Sequence, residues 1–211
     1  MELMPKPIFT VLVIDNVTGW KSLEEKLLAV QKFYEPVCDL RFVVKERAMS
    51  PVFTNKTPGL DPSLYCIDFG WFDVNVSEPY AIDFDIVVLI SPKGDHPGLP
   101  TYNGVATGNN LGSWEIQMMP GPELNTFFTN NHPMGDEFTH FLCHELSHVF
   151  YGICGKVDRT HECFYSGHPE GVRGDFDFTT TYVKLGQMKN SLMRMLTSIG
   201  FMRKRQNLIA T

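Results

Sequence analysis

Residues 138–150 read FTHFLCHELSHVF, and this stretch decides what kind of fold surrounds it. Its apolar side chains recur every three or four residues, which is the period of an amphipathic α-helix. Asp136 can cap the first turn, and Gly152 and Gly155 bound the far end. The apolar positions of the predicted helix are Phe138, Phe141, Leu142, Leu146, Val149, Phe150 and Ile153. The pentapeptide at 144–148 therefore lies in the middle of a predicted helix.

This pentapeptide has the residue types and the spacing of a metal site. His144 and His148 are four residues apart, so on a helix both imidazoles face the same way and can reach one Zn²⁺. Glu145 then lies beside the open coordination position, where a carboxylate can act as a general base. A chain of this composition contains such a triplet by chance about 0.01 times. The pattern therefore predicts a zinc site rather than two ordinary helix histidines beside a surface glutamate.

A catalytic zinc usually has three protein ligands and one water, so a third ligand is expected downstream. His161 is the first candidate, because it follows the end of the helix, where a reversing loop can return an imidazole to the metal. Asp158 is the main competitor, either as a ligand or as an acceptor that orients one. His140 is expected at the surface or around the ligands, since a third helical ligand drifts around the cylinder. The remaining candidates of an allowed type are Glu162, Glu170 and Cys154.

Strands and a helix are predicted before the pentapeptide. The first segment, 8–14, is rich in β-branched residues, and 83–90 is a continuous apolar run typical of a central strand. Alternation at 114–118 indicates a half-exposed strand. The predicted strands lie at 8–14, 40–44, 83–90 and 114–118, and the predicted helix lies at 20–34. We therefore predict an α+β fold with a mixed sheet, a backing helix and the helix that carries the pentapeptide.

Two segments rich in Pro, Gly and Asn, at 51–62 and 91–111, are predicted to be loops. Near the C-terminus, residues 182–199 carry apolar side chains at helical spacing and stop at Gly200. We therefore predict one domain over residues 1–180, with residues 181–211 forming a C-terminal helix packed against it.

The pentapeptide and the order of the elements before it resemble the zincin superfamily of metallopeptidases. In that fold a mixed sheet and a backing helix precede the active-site helix, and an edge strand pairs with the peptide substrate. The resemblance in layout covers residues 8–161 and implies that 114–118 is this edge strand. It also implies that Glu145 takes a proton from the water that zinc activates and passes it to the leaving amine.

The sequence departs from the metzincin branch of this superfamily after His148. Metzincins place a Gly three residues later and a third His three further on, where this chain has Tyr151 and Cys154. A glycine adopts the backbone angles of such a tight turn more cheaply than a tyrosine does. The gluzincin branch takes a Glu from a following helix, a role for which Glu162 or Glu170 is available. The Asp-x-x-His that follows the helix looks closer to short zincins, including some encoded by phages.

The resemblance implies a zinc-dependent metallopeptidase that acts on a peptide or protein substrate. Residues that could stabilise the oxyanion are Tyr151, Tyr165 and His168. Hydrolysis of a peptidoglycan amide in phage lysis or entry is an alternative that uses the same chemistry. A zinc-containing module that binds peptide without cutting it is an alternative from another class.

The composition of the chain limits the kinds of binding partner and the cellular compartment that we expect. The net charge is −6, and the one compact basic run is at 203–205, which excludes a broad nucleic-acid surface. No apolar run approaches the roughly 18–20 residues of a membrane span. A signal-peptide pattern is absent and the five cysteines are an odd number, so we expect reduced thiols in the cytoplasm, or association with a phage particle. Cys143 is expected to be a small core residue.

Overall fold

The computed structural model describes residues 7–16, 23–35, 38–56, 62, 65–92, 104–108, 113–119 and 137–153. In chain order the strands are β1 (Ile8–Asp15), β2 (Asp39–Glu46), β3 (Phe53–Thr54), β4 (Cys66–Ile67), β5 (Ile86–Ile90), β6 (Gly104–Gly108) and β7 (Trp114–Met118). The α-helices are α1 (Leu23–Tyr34), α2 (Phe69–Phe72) and α3 (Glu137–Ile153), and a π-helical turn at Asp73–Ser77 follows α2 directly. The helix predicted within 181–211 lies outside the described residues.

Five of these strands form one sheet in the order β2-β1-β5-β7-β6. Strands β2, β1, β5 and β7 run parallel, and β6 is antiparallel to β7. The prediction of a mixed sheet is therefore confirmed, with the parallel direction in the majority. The central strand is β5, and all of its residues are buried, as its continuous apolar sequence predicts.

The prediction that Trp114–Met118 is an edge strand was wrong. This strand, β7, lies between β5 and β6, and every residue after Trp114 is buried. One of its polar side chains, Gln117, donates to the main-chain oxygen of Ile67 at 2.9 Å and accepts from the Ile67 N–H at 2.8 Å. A buried polar side chain with such partners leaves the same alternating pattern in the sequence as an exposed one.

Among the described strands, the edge strand beside β7 is β6, which lies inside the segment 91–111 that we predicted to be a loop. Its sequence, Gly-Val-Ala-Thr-Gly, has glycine at both ends, and glycine is depleted in strands. Pairing with β7 runs from Gly104 opposite Met118 to Gly108 opposite Trp114. Gly104 therefore lies where the parallel strands end, which is the end at which such sheets commonly bind ligands. The other predicted loop, 51–62, includes the two-residue strand β3.

Each face of the sheet is covered by a separate layer. Helix α1 connects two parallel strands, and such a crossover packs a helix onto the sheet. Four apolar residues that recur at helical spacing in α1 are all buried, namely Leu23, Leu27, Val30 and Tyr34. Helices α1 and α3 share one core with this face, whereas β3, β4, α2 and the π-helical turn cover the opposite face.

Helix α3 is enclosed around almost its whole circumference. Between residues 138 and 150, all side chains are buried except the partly exposed Phe141 and His148. The Phe150 ring packs against the rings of Phe9 and Tyr34, with centroids 5.2 and 5.1 Å away. Cys143 is fully buried, as expected of a core residue. The predicted mid-helix position of the pentapeptide is confirmed, in a helix fixed by packing on several sides.

Within the described ranges, no helix is both long enough and apolar enough to cross a membrane.

Candidate metal centre and active site

The imidazoles of His144 and His148 converge on one point beside α3. Their Nε2 atoms lie 3.0 Å apart, and their ring planes are nearly perpendicular, at 87°. Residues four apart on a helix are neighbours, so this convergence follows from the spacing of the pentapeptide. His144 is only 4% exposed, whereas His148 is partly exposed, so solvent reaches the pair from the side of His148.

The donor atoms of this pair fit a zinc ion. At 3.0 Å, two neutral imidazoles can share a hydrogen bond in which one Nε2 donates and the other accepts. Two nitrogen ligands at about 2.0–2.1 Å from a tetrahedral zinc lie about 3.3 Å apart, which is close to the observed separation. Binding a metal at both Nε2 atoms would therefore need little movement of either ring, with the proton of each neutral imidazole carried on Nδ1.

Glu145 is buried at 4% exposure and lies against the edge strand β6. A Cβ atom built on Gly104 would lie 2.7 Å from Oε1 and 2.8 Å from Cγ of Glu145. The carboxylate therefore occupies space that any other residue at position 104 would need. This placement rules out the surface glutamate of the alternative interpretation, and it brings a carboxylate to the open edge of the described sheet, one residue from a buried imidazole.

Small residues on β6 allow α3 to come this close to the sheet. Gly104, Ala106 and Gly108 alternate along β6, so all three lie on the face that packs against α3. Ala106 packs against the core shared with α3, and the Trp114 ring lies 3.6 Å from the Cβ position of Gly108. Each position has a different neighbour, and only at Gly104 is that neighbour a side chain of the pentapeptide.

Helix α1 holds the pentapeptide from the other side. The Tyr34 hydroxyl donates to the main-chain oxygen of Cys143 at 2.5 Å and lies 2.7 Å from Oγ of Ser147. Ser147 Oγ is also 2.9 Å from the same Cys143 oxygen. Ser147 lies between the two histidines in sequence, so these buried hydrogen bonds fix the turn of α3 that carries the pair.

His140 is buried, at 2% exposure, so of its two expected positions the one at the surface was wrong, while a position around the ligands stays a prediction. The reason is that α3 is enclosed on nearly all sides, which the sequence period alone does not show. His140 packs edge-on against Phe141, with ring centroids 5.5 Å apart. Within the described part of the chain, no group of three or more His, Cys, Asp or Glu side chains is placed to hold a metal. His140 therefore does not complete the pair.

The predicted third ligand, His161, lies outside the described residues. So do its competitors Asp158, Glu162, Glu170 and Cys154, and two of the residues that could stabilise an oxyanion, Tyr165 and His168. Tyr151 belongs to α3, but its side chain is not described. These assignments stay predictions.

No protein-family model matches this chain, and no curated protein matches it. The functional assignment therefore depends on the residues and geometry of the site.

Gly104 is the site residue that sequence reasoning missed. A glycine inside a strand often marks a close approach of another group to the backbone. That signal is available only once residues 104–108 are recognised as a strand, and their composition predicts a loop. The partner, Glu145, is 41 positions away in the sequence.

Proposed function

We propose that this protein is a zinc-dependent metallopeptidase with a zincin-like active site. The observation that carries the proposal is the convergence of the His144 and His148 Nε2 atoms, 3.0 Å apart, one residue from a buried carboxylate. The mixed sheet, the backing helix α1 and an edge strand beside the pentapeptide helix support the zincin-like layout. His161 is proposed as the third ligand.

In this proposal a bound zinc ion supplies Lewis-acid activation of a water molecule and of the scissile carbonyl. His144 and His148 would hold the metal through their Nε2 atoms, with Tyr34 and Ser147 keeping this turn of the helix in place. Glu145 accepts a proton from the attacking water and then donates it to the leaving amine. Its burial against β6 keeps the carboxylate in one position for both transfers.

The substrate is proposed to be an extended peptide that lies along β6. An edge strand can add a further strand through main-chain hydrogen bonds, which does not depend on the side chains of the peptide. β6 takes the role that the sequence had predicted for Trp114–Met118, because β6 is the outer strand of the described sheet next to Glu145.

Zinc content and cleavage test this proposal together. Purified protein should contain one zinc per chain by mass spectrometry, and His144→Gln and His148→Gln should lose it, because an amide is a much poorer zinc ligand than an imidazole. His140→Gln is the matched control, since His140 is a buried histidine one turn earlier on α3; it should keep the metal.

For catalysis, Glu145→Gln should retain zinc but lose about 10²–10⁴-fold in the rate of peptide cleavage. The control is Glu115→Gln, which makes the same change at a glutamate that is 1% exposed and lies in β7; it should cleave normally.

Peptide libraries and purified cell wall should both be assayed. If the protein cleaves only cell wall, the substrate is a peptidoglycan amide and not an extended peptide. Stoichiometric zinc with no cleavage of either would make the chain a binding module.

A further inference from the structure

We propose that Gly104 is a positioning residue for Glu145, and that its missing side chain is what keeps the general base in place. This inference rests on the proposed function, because it concerns the carboxylate assigned as the base. It adds a residue of the edge strand to the catalytic apparatus, far from the pentapeptide in sequence.

Three distances carry the inference. A Cβ atom on Gly104 would lie 2.7 Å from Oε1, 2.8 Å from Cγ and 3.1 Å from Cδ of Glu145. Real Cβ atoms essentially never come within 3.0 Å of such neighbours. The three nearest atoms all belong to one side chain, so a substitution at position 104 acts on Glu145 before it acts on anything else.

The glycine is required for space and not for its backbone angles. Gly104 does not adopt the positive φ values that favour glycine, and it pairs regularly with Met118 of β7. An alanine can therefore follow the same backbone. The atoms that must move are those of the Glu145 side chain, which can rotate away, whereas β6 is held by its ladder with β7.

The opposite end of the same strand offers a matched control. Gly108 is also a strand glycine without a positive φ, but a Cβ there would meet the Trp114 ring at 3.6–3.7 Å, which is ordinary van der Waals contact. Gly104→Ala and Gly108→Ala thus make the same chemical change in one strand, and only the first displaces the carboxylate.

Cleavage kinetics are the first test. We expect Gly104→Ala to keep stoichiometric zinc and a similar KM but to lose about 10–100-fold in kcat, since misplacing a reacting group by about 1 Å has an effect of that order. Gly70→Ala, a glycine change in α2 on the opposite face of the sheet and away from β6, is the control for activity and should remain near the parent protein. Equal kcat values for the two variants would overturn the positioning role while leaving the metallopeptidase proposal intact.

A second test needs no catalysis. In the protein that keeps Glu145, Gly104→Ala should give a lower Tm than Gly108→Ala. In a Glu145→Ala background the contact is gone, so Gly104→Ala should leave Tm unchanged or raise it, because alanine restricts the unfolded chain. If Gly104→Ala changes Tm equally in both backgrounds, the contact does not exist and the inference is wrong. A parent protein that binds no zinc, by contrast, would count against the proposed function, while the contact between Gly104 and Glu145 would still be tested by the Tm values.

Discussion

The Tyr34 hydroxyl of α1 lies 2.5 Å from the main-chain oxygen of Cys143 in α3, one residue before the pentapeptide begins. Tyr34 is fully buried, and the Ser147 hydroxyl lies within hydrogen-bond distance of the same two groups. The two hydroxyls carry one hydrogen each, so these three contacts cannot all be full hydrogen bonds at the same time. This small network sets the position of α3 against α1, and with it the direction of the two imidazoles.

Removing that hydroxyl should loosen the helix pair. Tyr34→Phe should lower the free energy of unfolding by about 1 kcal/mol, the net contribution of a typical buried hydrogen bond. Urea unfolding measures the change. Tyr80→Phe is the control, because Tyr80 is partly exposed and its hydroxyl makes no hydrogen bond to the described residues. Equal stability of the two variants would mean that the Tyr34 network contributes nothing.

The two hydrogen bonds between Gln117 of β7 and Ile67 of β4 should be more costly to remove than the Tyr34 hydroxyl. Gln117→Leu leaves both the N–H and the oxygen of Ile67 buried without their side-chain partner, and we expect a loss of about 2–6 kcal/mol, at about 1–3 kcal/mol for each group. The comparison is Gln31→Leu, which removes one partly buried hydrogen bond to the Leu40 oxygen and should cost less than half as much. Gln117→Leu should have the lower denaturation midpoint of the two variants, and the reverse order would contradict the prediction.

Asn16 should anchor the segment after β2 to the end of β1. Its amide donates to Met49 oxygen and Ser91 Oγ, each at 3.0 Å, and accepts from the Met49 N–H at 2.6 Å. Asn16→Ala should therefore lower stability by about 1–3 kcal/mol. Asn55→Ala removes one exposed hydrogen bond and should be nearly neutral. Thermal unfolding of both variants provides the measurement, and a neutral Asn16→Ala would contradict this role.

Zinc should stabilise the folded chain through the two histidines. A ligand present at 100 times its Kd adds about 2.7 kcal/mol, which raises Tm by about 5–10 °C for a chain of this size. Differential scanning calorimetry of metal-stripped protein, with and without added zinc, measures the shift. His148→Gln should abolish the shift and His140→Gln should keep it. A shift that survives His148→Gln would place the stabilising metal elsewhere.

Much of the framework was predictable because the relevant signals are local. The 3.6-residue period of 138–150 predicts α3, and the period of 23–34 predicts the buried face of α1. The continuous apolar run at 86–90 predicts a central strand. In each case the pattern depends on which side chains a helix or strand presents to one side, and that is decided over a few neighbouring residues.

The order of the strands was not predictable in the same way. Glu115 and Gln117 indicated a half-exposed strand, yet the Gln117 amide is satisfied by Ile67, 50 residues earlier in the chain. His140 was expected at the surface or around the ligands, yet it is buried, because packing encloses α3 on several sides. The local pattern shows neither the hydrogen bonds of Gln117 nor the burial of His140, because both depend on residues that only the folded chain brings together.

The spacing of His144 and His148 already placed two imidazoles on one side of a helix, since helix geometry is a property of consecutive residues. The position of Glu145 depended on the folded chain. Its carboxylate lies against β6 because strand pairing brings Gly104 to the end of β7, and because a residue without a side chain leaves the room. A contact across 41 positions has no local signature, whereas two ligands four residues apart on one helix do.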